Sequence, residues 1–110
     1  MNLFWPLHAA ASLWRERKTQ RSPQWRSLER HFLVANPECA ACGGWVLLQV
    51  HHVVPVSVDP ERELKWSNLV ALCMGPRLCH FVLGHHSNWH DYNPDVLRDA
   101  ALARRKRRRP

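Results

Sequence analysis

Residues 39–54 of this 110-residue chain, CAACGGWVLLQVHHVV, decide the fold. They open on a Cys-x-x-Cys turn, where Gly43 and Gly44 let the backbone bend around a metal ion. The apolar residues that follow predict a β-strand over 45–54 that ends on the adjacent His51 and His52. Because neighbouring side chains of a strand point to opposite faces, we expect one histidine to bind a metal and the other to reach a substrate.

A second cysteine pair predicts that the chain is held together by a structural zinc ion. A C-x2-C pair and a later C-x5-C pair allow two turns to converge on one tetrahedral Zn²⁺, held by Cys39, Cys42, Cys73 and Cys79. The second spacing is wider than usual, and Gly75–Pro76 supplies a turn that absorbs the extra residues. Four thiolates leave no coordination position open, so this ion is structural. The alternative is that these are ordinary buried cysteines.

The flanking segments predict helices and a second strand. Apolar residues at helical spacing predict a helix over 22–35, with Trp25 in the core, where we also expect Trp45. The residues NLVALC (68–73) predict a second short strand, and the residues between the two strands a loop. We further expect a short helix from Leu78 to about Gly84 and a last helix from Asp95 to about Arg104, with Asn93 as its N-cap.

The formal net charge of +7 indicates a polyanionic partner, and nucleic acid is favoured over a membrane surface. Six of the 16 basic residues form one run at the end of the chain: Arg104, Arg105, Lys106, Arg107, Arg108 and Arg109. We expect this run to contact phosphates. The alternative is a disordered solubilising tail or a localisation signal.

Several classes of protein are disfavoured. No apolar run is long enough to span a bilayer, so no membrane partner is expected. The apolar start, residues 1–13, lacks a basic n-region and is interrupted by Pro6 and His8, which disfavours a signal peptide. Cysteines used as metal ligands are typical of a reducing compartment, so we expect a cytoplasmic protein.

The order of these motifs resembles the HNH endonuclease family, in its zinc-containing form typical of phage and bacterial proteins. The resemblance rests on CAAC (39–42), VHHVVP (50–55), NLVALC (68–73), CH (79–80) and GH (84–85), and it covers roughly residues 22–94. It implies an α+β fold with a ββα-metal (HNH, His-Me finger) core, a structural zinc knuckle and flanking helices. The expected organisation is an N-terminal arm (1–21), the nuclease domain (22–94), and a C-terminal helix with a basic tail (95–110).

The resemblance also implies roles for single residues. His51 matches a ligand of the catalytic ion, and His52 matches the general base, which is usually oriented by a backbone carbonyl. Asn68 matches the middle residue of the family motif, which mainly ties down the loop between the strands. His80 matches a second ligand, placed on the helix.

His85 is expected as a third ligand of the catalytic ion, but its spacing departs from the family pattern. The usual separation between the two helix ligands is four residues, whereas His80 and His85 are five apart and Gly84 occupies the expected position. Either the helix ends or bulges at Gly84, or His85 does another job. His86 and His90 are weaker candidates.

The function implied is metal-dependent hydrolysis of DNA phosphodiester bonds, with water activated by His52. Mg²⁺ or Mn²⁺ is expected as the catalytic ion, while a histidine site also suits Ni²⁺ or Zn²⁺. A protein partner would supply sequence specificity. The alternative is a zinc-stabilised nucleic-acid-binding module with an inactive HNH site. Glu61 and Glu63 are expected in a solvated loop rather than near the metal.

Overall fold

The structure is a computed structural model that describes residues 21–108. It contains helix α1 (Trp25–Ala35), strand β1 (Leu48–His52), strand β2 (Leu69–Cys73), a π-helical turn (His80–Gly84) and helix α2 (Val96–Arg108). The predicted α+β class is confirmed. Except for Arg21, the arm predicted for 1–21 lies outside the described residues, as does Arg109. Within residues 21–108, no helix has the length and apolar character needed to cross a membrane.

The two strands form one antiparallel ribbon, in which Leu48 pairs with Cys73 and His52 pairs with Leu69. The ribbon separates two small cores. One core contains α1 residues and one face of the ribbon: Trp25, Phe32, Val50, Leu69 and Ala71. The other contains the cysteine turns, the opposite face of the ribbon and α2: Cys39, Ala41, Val70, Leu72, Cys73, Cys79, Val96 and Ala100. β2, whose five residues are all buried, therefore lies at the centre of the molecule.

β1 is shorter than the predicted strand over 45–54. Leu47 has a φ of 53°, a left-handed conformation that an extended strand does not tolerate, so pairing begins only at Leu48. Trp45 lies before this break and is 74% exposed, so its predicted place in the core is wrong. Trp25 is buried as expected.

α1 begins at Trp25, later than the predicted start of the helix. The preceding residues form a turn in which the Trp25 amide donates to the Ser22 carbonyl. The Ser22 hydroxyl accepts a hydrogen bond from the Gln24 amide, so the serine serves this turn and does not cap the helix. A short polar residue before a proline suits both structures, which is why the sequence alone did not distinguish them.

The segment between the strands is more regular than the predicted loop. It contains two 3₁₀ turns, Pro60–Arg62 and Trp66–Asn68. The buried Asn68 side chain donates to the carbonyls of Val54 (3.0 Å) and Arg62 (3.2 Å), and it accepts from the Val54 amide (2.9 Å). Asn68 thereby joins the start and the middle of the segment to the start of β2.

α2 continues to Arg108, beyond the predicted end near Arg104. Basic side chains in the last turn interact favourably with the negative end of the helix dipole, so the basic run extends the helix through Arg108. At the other end, α2 begins at Val96, one residue later than predicted, and the Asn93 side-chain oxygen accepts from the Asp95 amide (2.9 Å). Asn93 therefore serves the turn before the helix, as Ser22 does before α1, and is not the predicted N-cap.

We predict that Asn68→Ala lowers the free energy of unfolding by about 2–4 kcal/mol, because it leaves buried backbone groups without partners. Urea denaturation of the zinc-saturated protein measures this loss. Asn88→Ala is the matched control, since the exposed Asn88 side chain makes only one hydrogen bond within residues 21–108, from the His90 amide. Equal losses in the two variants would contradict the role assigned to Asn68.

Candidate metal centre

Four cysteine sulfurs come together where the first turn meets the end of β2 and the start of the π-helical turn. The sulfurs of Cys39, Cys42, Cys73 and Cys79 lie within 4.8 Å of one another, and all four are free thiols. The Sγ atoms of Cys42 and Cys73 are 3.6 Å apart. Sulfurs bound tetrahedrally at 2.3 Å lie about 3.8 Å apart, so the cluster fits a zinc knuckle.

The backbone of the first turn is folded for this purpose. The Cys39 amide donates to the Gly44 carbonyl (2.7 Å), and the Gly43 amide donates back to the Cys39 carbonyl (2.9 Å). Gly43 has a φ of 78°, which side chains rarely allow, and the Gly44 amide donates to Cys42 Sγ (3.3 Å). The two glycines therefore close the turn and direct an amide at a sulfur.

The electrostatics of the thiols also point to a cation. Burial raises the pKa of Cys79, and the neighbouring Cys39 raises it further. Burial also raises the pKa of Cys73, but the amides of Cys79 and Gly75 and the adjacent thiols outweigh it and bring the pKa to about 7. Four thiolates this close repel one another, so only a bound cation allows all of them to ionise together.

Three histidines form a second cluster on the other side of the π-helical turn. Ring nitrogens of His51, His80 and His85 lie within 4.8 Å of one another. His80 Nε2 is 3.0 Å from His51 Nδ1 and 3.3 Å from His85 Nε2. His51 lies on β1, His80 is the first residue of the π-helical turn, and His85 is the residue that follows the turn.

The outer nitrogens of two rings are held by hydrogen bonds. His80 Nδ1 donates to the Gln49 side-chain carbonyl (2.7 Å), and His85 Nδ1 donates to the Asp91 carbonyl (2.8 Å). In neutral rings both Nε2 atoms then carry lone pairs, and two lone pairs cannot hydrogen-bond to each other across 3.3 Å. A shared cation explains this contact, and such outer partners are typical of metal-binding histidines.

His51 fits the same ion. It is 3% exposed, and within the described residues its Nε2 has no hydrogen-bond partner. Burial, followed by the neighbouring His80 and His85, lowers the pKa of His51 to about 3. Burial and His85 lower the pKa of His80 to about 4. Both rings are therefore neutral near pH 7, which is the form that binds metals.

The five-residue spacing of His80 and His85 is explained by the π-helical turn. A π-helical turn is closed by hydrogen bonds between residues five apart, so it brings both rings to the same side. Gly84 is needed at this point, since a Cβ there would lie 3.1–3.2 Å from three atoms of the His51 ring. Of the two alternatives posed by the sequence, the structure has the bulge. His86 and His90 are exposed and lie outside the cluster.

His52 faces the opposite side of β1, as the alternation of a strand predicts. Its Nε2 donates to the Glu63 carbonyl (2.9 Å), which leaves Nδ1 as the nitrogen with the lone pair. Its ring packs on Trp25, with a centroid distance of 4.6 Å. The predicted solvated position of Glu63 is wrong, because Glu63 is 8% exposed and orients this histidine, whereas Glu61 is exposed.

Residues 38–81 match the family model described as HNH endonuclease. The resemblance to the HNH endonuclease family is confirmed. The matched segment contains the four cysteines, both strands, His51, His52 and His80, while His85 lies just beyond it. Comparison with curated proteins and with solved structures gave no match.

The HNH match indicates a nuclease-type function with metal binding and a DNA substrate. Both histidine sites open into one pocket of about 340 Å³, which is lined by Arg21, Val50, His51, His52, Pro55, Val56, Ser57, His80, His85 and Trp89. The half-exposed Trp89 covers the cluster, with its ring 4.8 Å from His85 and 5.5 Å from His80. The pocket thus gives solvent access to the cluster and to His52 together.

Sequence reasoning missed Gln49, Trp89 and the contribution of Glu63. Gln49 had a usable signal, because it lies two residues before His51 and therefore on the same face of the strand. Trp89 and Glu63 had none, since each reaches the HNH site through an irregular segment, and Glu63 acts through its backbone carbonyl.

The described part of the basic run, residues 104–108, does not reach the histidine pocket. Arg104 pairs with Glu38 (3.2 Å), and with Arg108 it lines a groove beside the end of α1. The other basic residues of the last turn are exposed: Arg105, Lys106 and Arg107. Any DNA contact by these residues is therefore separate from the HNH centre.

We predict that zinc removal unfolds the domain. Structural zinc contributes about 10 kcal/mol or more in small zinc domains, which is comparable to the whole stability of a domain of this size. Circular dichroism during treatment with a strong chelator should show loss of helix and of the melting transition. His51→Ala, which affects only the histidine cluster, should stay folded in zinc; retention of structure after zinc is stripped would contradict the knuckle.

Gly84→Ala is predicted to weaken divalent-ion binding by the histidine cluster roughly 10-fold, because the new methyl group displaces the His51 ring. Calorimetric titration of the zinc-saturated protein with Mn²⁺ or Ni²⁺ measures the change. Gly75→Ala is the control, since a Cβ there meets its nearest neighbour at an ordinary 3.5 Å. Unchanged affinity in Gly84→Ala would show that the ring position does not govern binding.

Proposed function

We propose that this chain is a metal-dependent HNH endonuclease that hydrolyses DNA phosphodiester bonds. His52 acts as general base, and one divalent ion is held by His51, His80 and His85. The observation that carries this proposal is the convergence of three histidine nitrogens beside a fourth histidine whose proton-accepting nitrogen is kept available. The HNH family match supports DNA as the substrate class.

His52 is prepared to accept a proton. The hydrogen bond from Nε2 to the Glu63 carbonyl assigns the ring proton to Nε2 and leaves Nδ1 as the base. Burial lowers the pKa of His52, so the ring is neutral near pH 7. Nδ1 takes a proton from water, the water oxygen forms a bond to phosphorus, and the bond from phosphorus to the 3′-oxygen breaks. The leaving 3′-oxygen takes a proton from solvent. The family resemblance implies 5′-phosphate and 3′-hydroxyl ends.

The three-histidine cluster acts by positioning charge. A bound divalent ion supplies positive charge against the negative charge that develops on the phosphate and the leaving oxygen. Gln49 and the Asp91 carbonyl hold two of the rings with Nε2 directed inward. Neutral imidazole nitrogens are ligands that Ni²⁺ and Zn²⁺ prefer. Mg²⁺ and Mn²⁺ prefer oxygen ligands, which water and the DNA phosphate would supply.

Asn68 is a positioning residue in this scheme. It holds the backbone of Val54 and Arg62, and Arg62 precedes the residue whose carbonyl orients His52. The structural zinc at Cys39, Cys42, Cys73 and Cys79 keeps the π-helical turn against the ribbon. The exposed basic residues at the end of α2, with Arg109, bind DNA phosphates without sequence preference, and a protein partner would supply specificity.

Plasmid nicking tests this proposal most directly. We expect the zinc-loaded wild type to nick supercoiled DNA with at least one of Mg²⁺, Mn²⁺, Ni²⁺ and Zn²⁺. His52→Ala should lower the rate roughly 10²- to 10⁴-fold, as expected for loss of a general base, and should leave metal affinity unchanged. His31→Ala is the matched control, because His31 is exposed on α1 and contacts only the Ser27 carbonyl and hydroxyl.

The alternative function is a zinc-stabilised nucleic-acid-binding module with an inactive HNH site. It predicts DNA binding without nicking in any of the four metals. Nicking that persists unchanged in His52→Ala would overturn the assignment of the base while leaving a nuclease.

A further inference from the structure

Among the described residues that line the pocket over the histidines, Arg21 alone carries a permanent charge. The other described lining residues are apolar, histidine or serine, and none of them is a carboxylate. Within residues 21–108, no carboxylate lies within ion-pair distance of the Arg21 guanidinium. A concave surface with a lone arginine and neutral imidazoles attracts an anion.

Arg21 is directed to the His52 side of this pocket by an aromatic contact. Its guanidinium carbon lies 5.2 Å from the centroid of the Trp25 ring, within the range of a cation–π interaction. The same ring packs on His52 at 4.6 Å. Arg21 and His52 thus both contact the same indole ring.

A hydrogen-bond path anchors the backbone beside Arg21 to the residue that orients His52. The Ser22 amide donates to the Glu63 carboxylate (3.1 Å), and the Glu63 carbonyl accepts from His52 Nε2 (2.9 Å). Glu63 is 8% exposed, so this link is held inside the protein. One buried residue therefore positions both the base and the segment that carries the arginine.

We propose that Arg21 forms a phosphate-binding subsite of the catalytic pocket, in which its guanidinium binds a phosphate oxygen of the DNA strand being cut. This inference rests on the proposed nuclease function and adds a substrate-binding residue to it. The phosphate lies between Arg21 on the His52 side and the three-histidine cluster on the other. The arginine fork suits two phosphate oxygens at once, which a lysine at the same place does not.

The experiment compares Arg21→Ala, Arg21→Lys and Arg26→Ala in the zinc-loaded protein. Arg26 is exposed on α1 and is absent from the pocket lining, so its variant removes one positive charge without touching the subsite. We expect Arg21→Ala to lower kcat/KM for nicking roughly 10- to 100-fold, the usual worth of a charge-assisted hydrogen bond. The kcat/KM of Arg21→Lys should lie between those of the wild type and Arg21→Ala, and that of Arg26→Ala should match the wild type.

Inorganic phosphate provides a readout that does not need catalysis. Phosphate binding is followed through the histidine ring signals in the nuclear magnetic resonance spectrum, with the ion-loaded protein. We expect Arg21→Ala to weaken phosphate binding by a similar factor and to leave Mn²⁺ affinity unchanged. A purely structural role for Arg21 would instead alter metal binding or the melting temperature of the variant.

The outcomes separate the two proposals. If the wild type nicks DNA and Arg21→Ala equals Arg26→Ala in both rate and phosphate binding, the subsite is wrong and the nuclease stands. If the wild type fails to nick DNA with every metal, and phosphate binding is lost in Arg21→Ala but not in Arg26→Ala, the nuclease proposal is wrong and the subsite stands.

Discussion

The four-cysteine cluster is the constraint on which the rest of the structure depends. Cys73 is the last residue of β2, and Cys79 immediately precedes the π-helical turn. These two sulfurs lie in one cluster with those of Cys39 and Cys42. The cluster therefore fixes where the π-helical turn begins relative to the ribbon. Because His80 follows Cys79 directly, the position of the three-histidine cluster depends on the four-cysteine cluster.

The second constraint is the close approach of the turn to β1. The cluster requires the His51 ring to pass directly against the backbone of the turn, and only a glycine leaves that space. In an ordinary α-helical turn, Gly84 would lie where the second helix ligand is needed, and a glycine has no side chain that can bind an ion. The π-helical turn instead places the next residue, His85, beside His51 and His80. The irregular turn and the glycine are therefore two parts of one solution.

Much of this arrangement is readable in the sequence, and the remainder has physical reasons for being hidden. Cysteine spacing and the alternation of a strand were enough to predict the zinc knuckle and the opposite facing of His51 and His52. Glu63 was misjudged because its contribution comes from a backbone carbonyl, which any residue possesses. Trp45 was misjudged because the strand is interrupted by a left-handed leucine, a conformation that residue type does not signal. The spacing of His80 and His85 left two alternatives, and the choice depends on packing against His51.

The environment of His52 balances two requirements of the general base that we propose it to be. Burial comes first in lowering its pKa, and the nearby Arg21 charge adds to that effect. The Glu63 carbonyl and the charge of its carboxylate act in the opposite direction. A base whose pKa falls far below the working pH is always neutral but accepts protons weakly, so an arginine that binds phosphate here would be harmful by itself. Glu63 offsets that cost at the same place where it anchors the arginine segment. In the proposed site, the opposing effect of Glu63 on the pKa of His52 is thus what allows a phosphate-binding arginine to lie beside a neutral and still effective base.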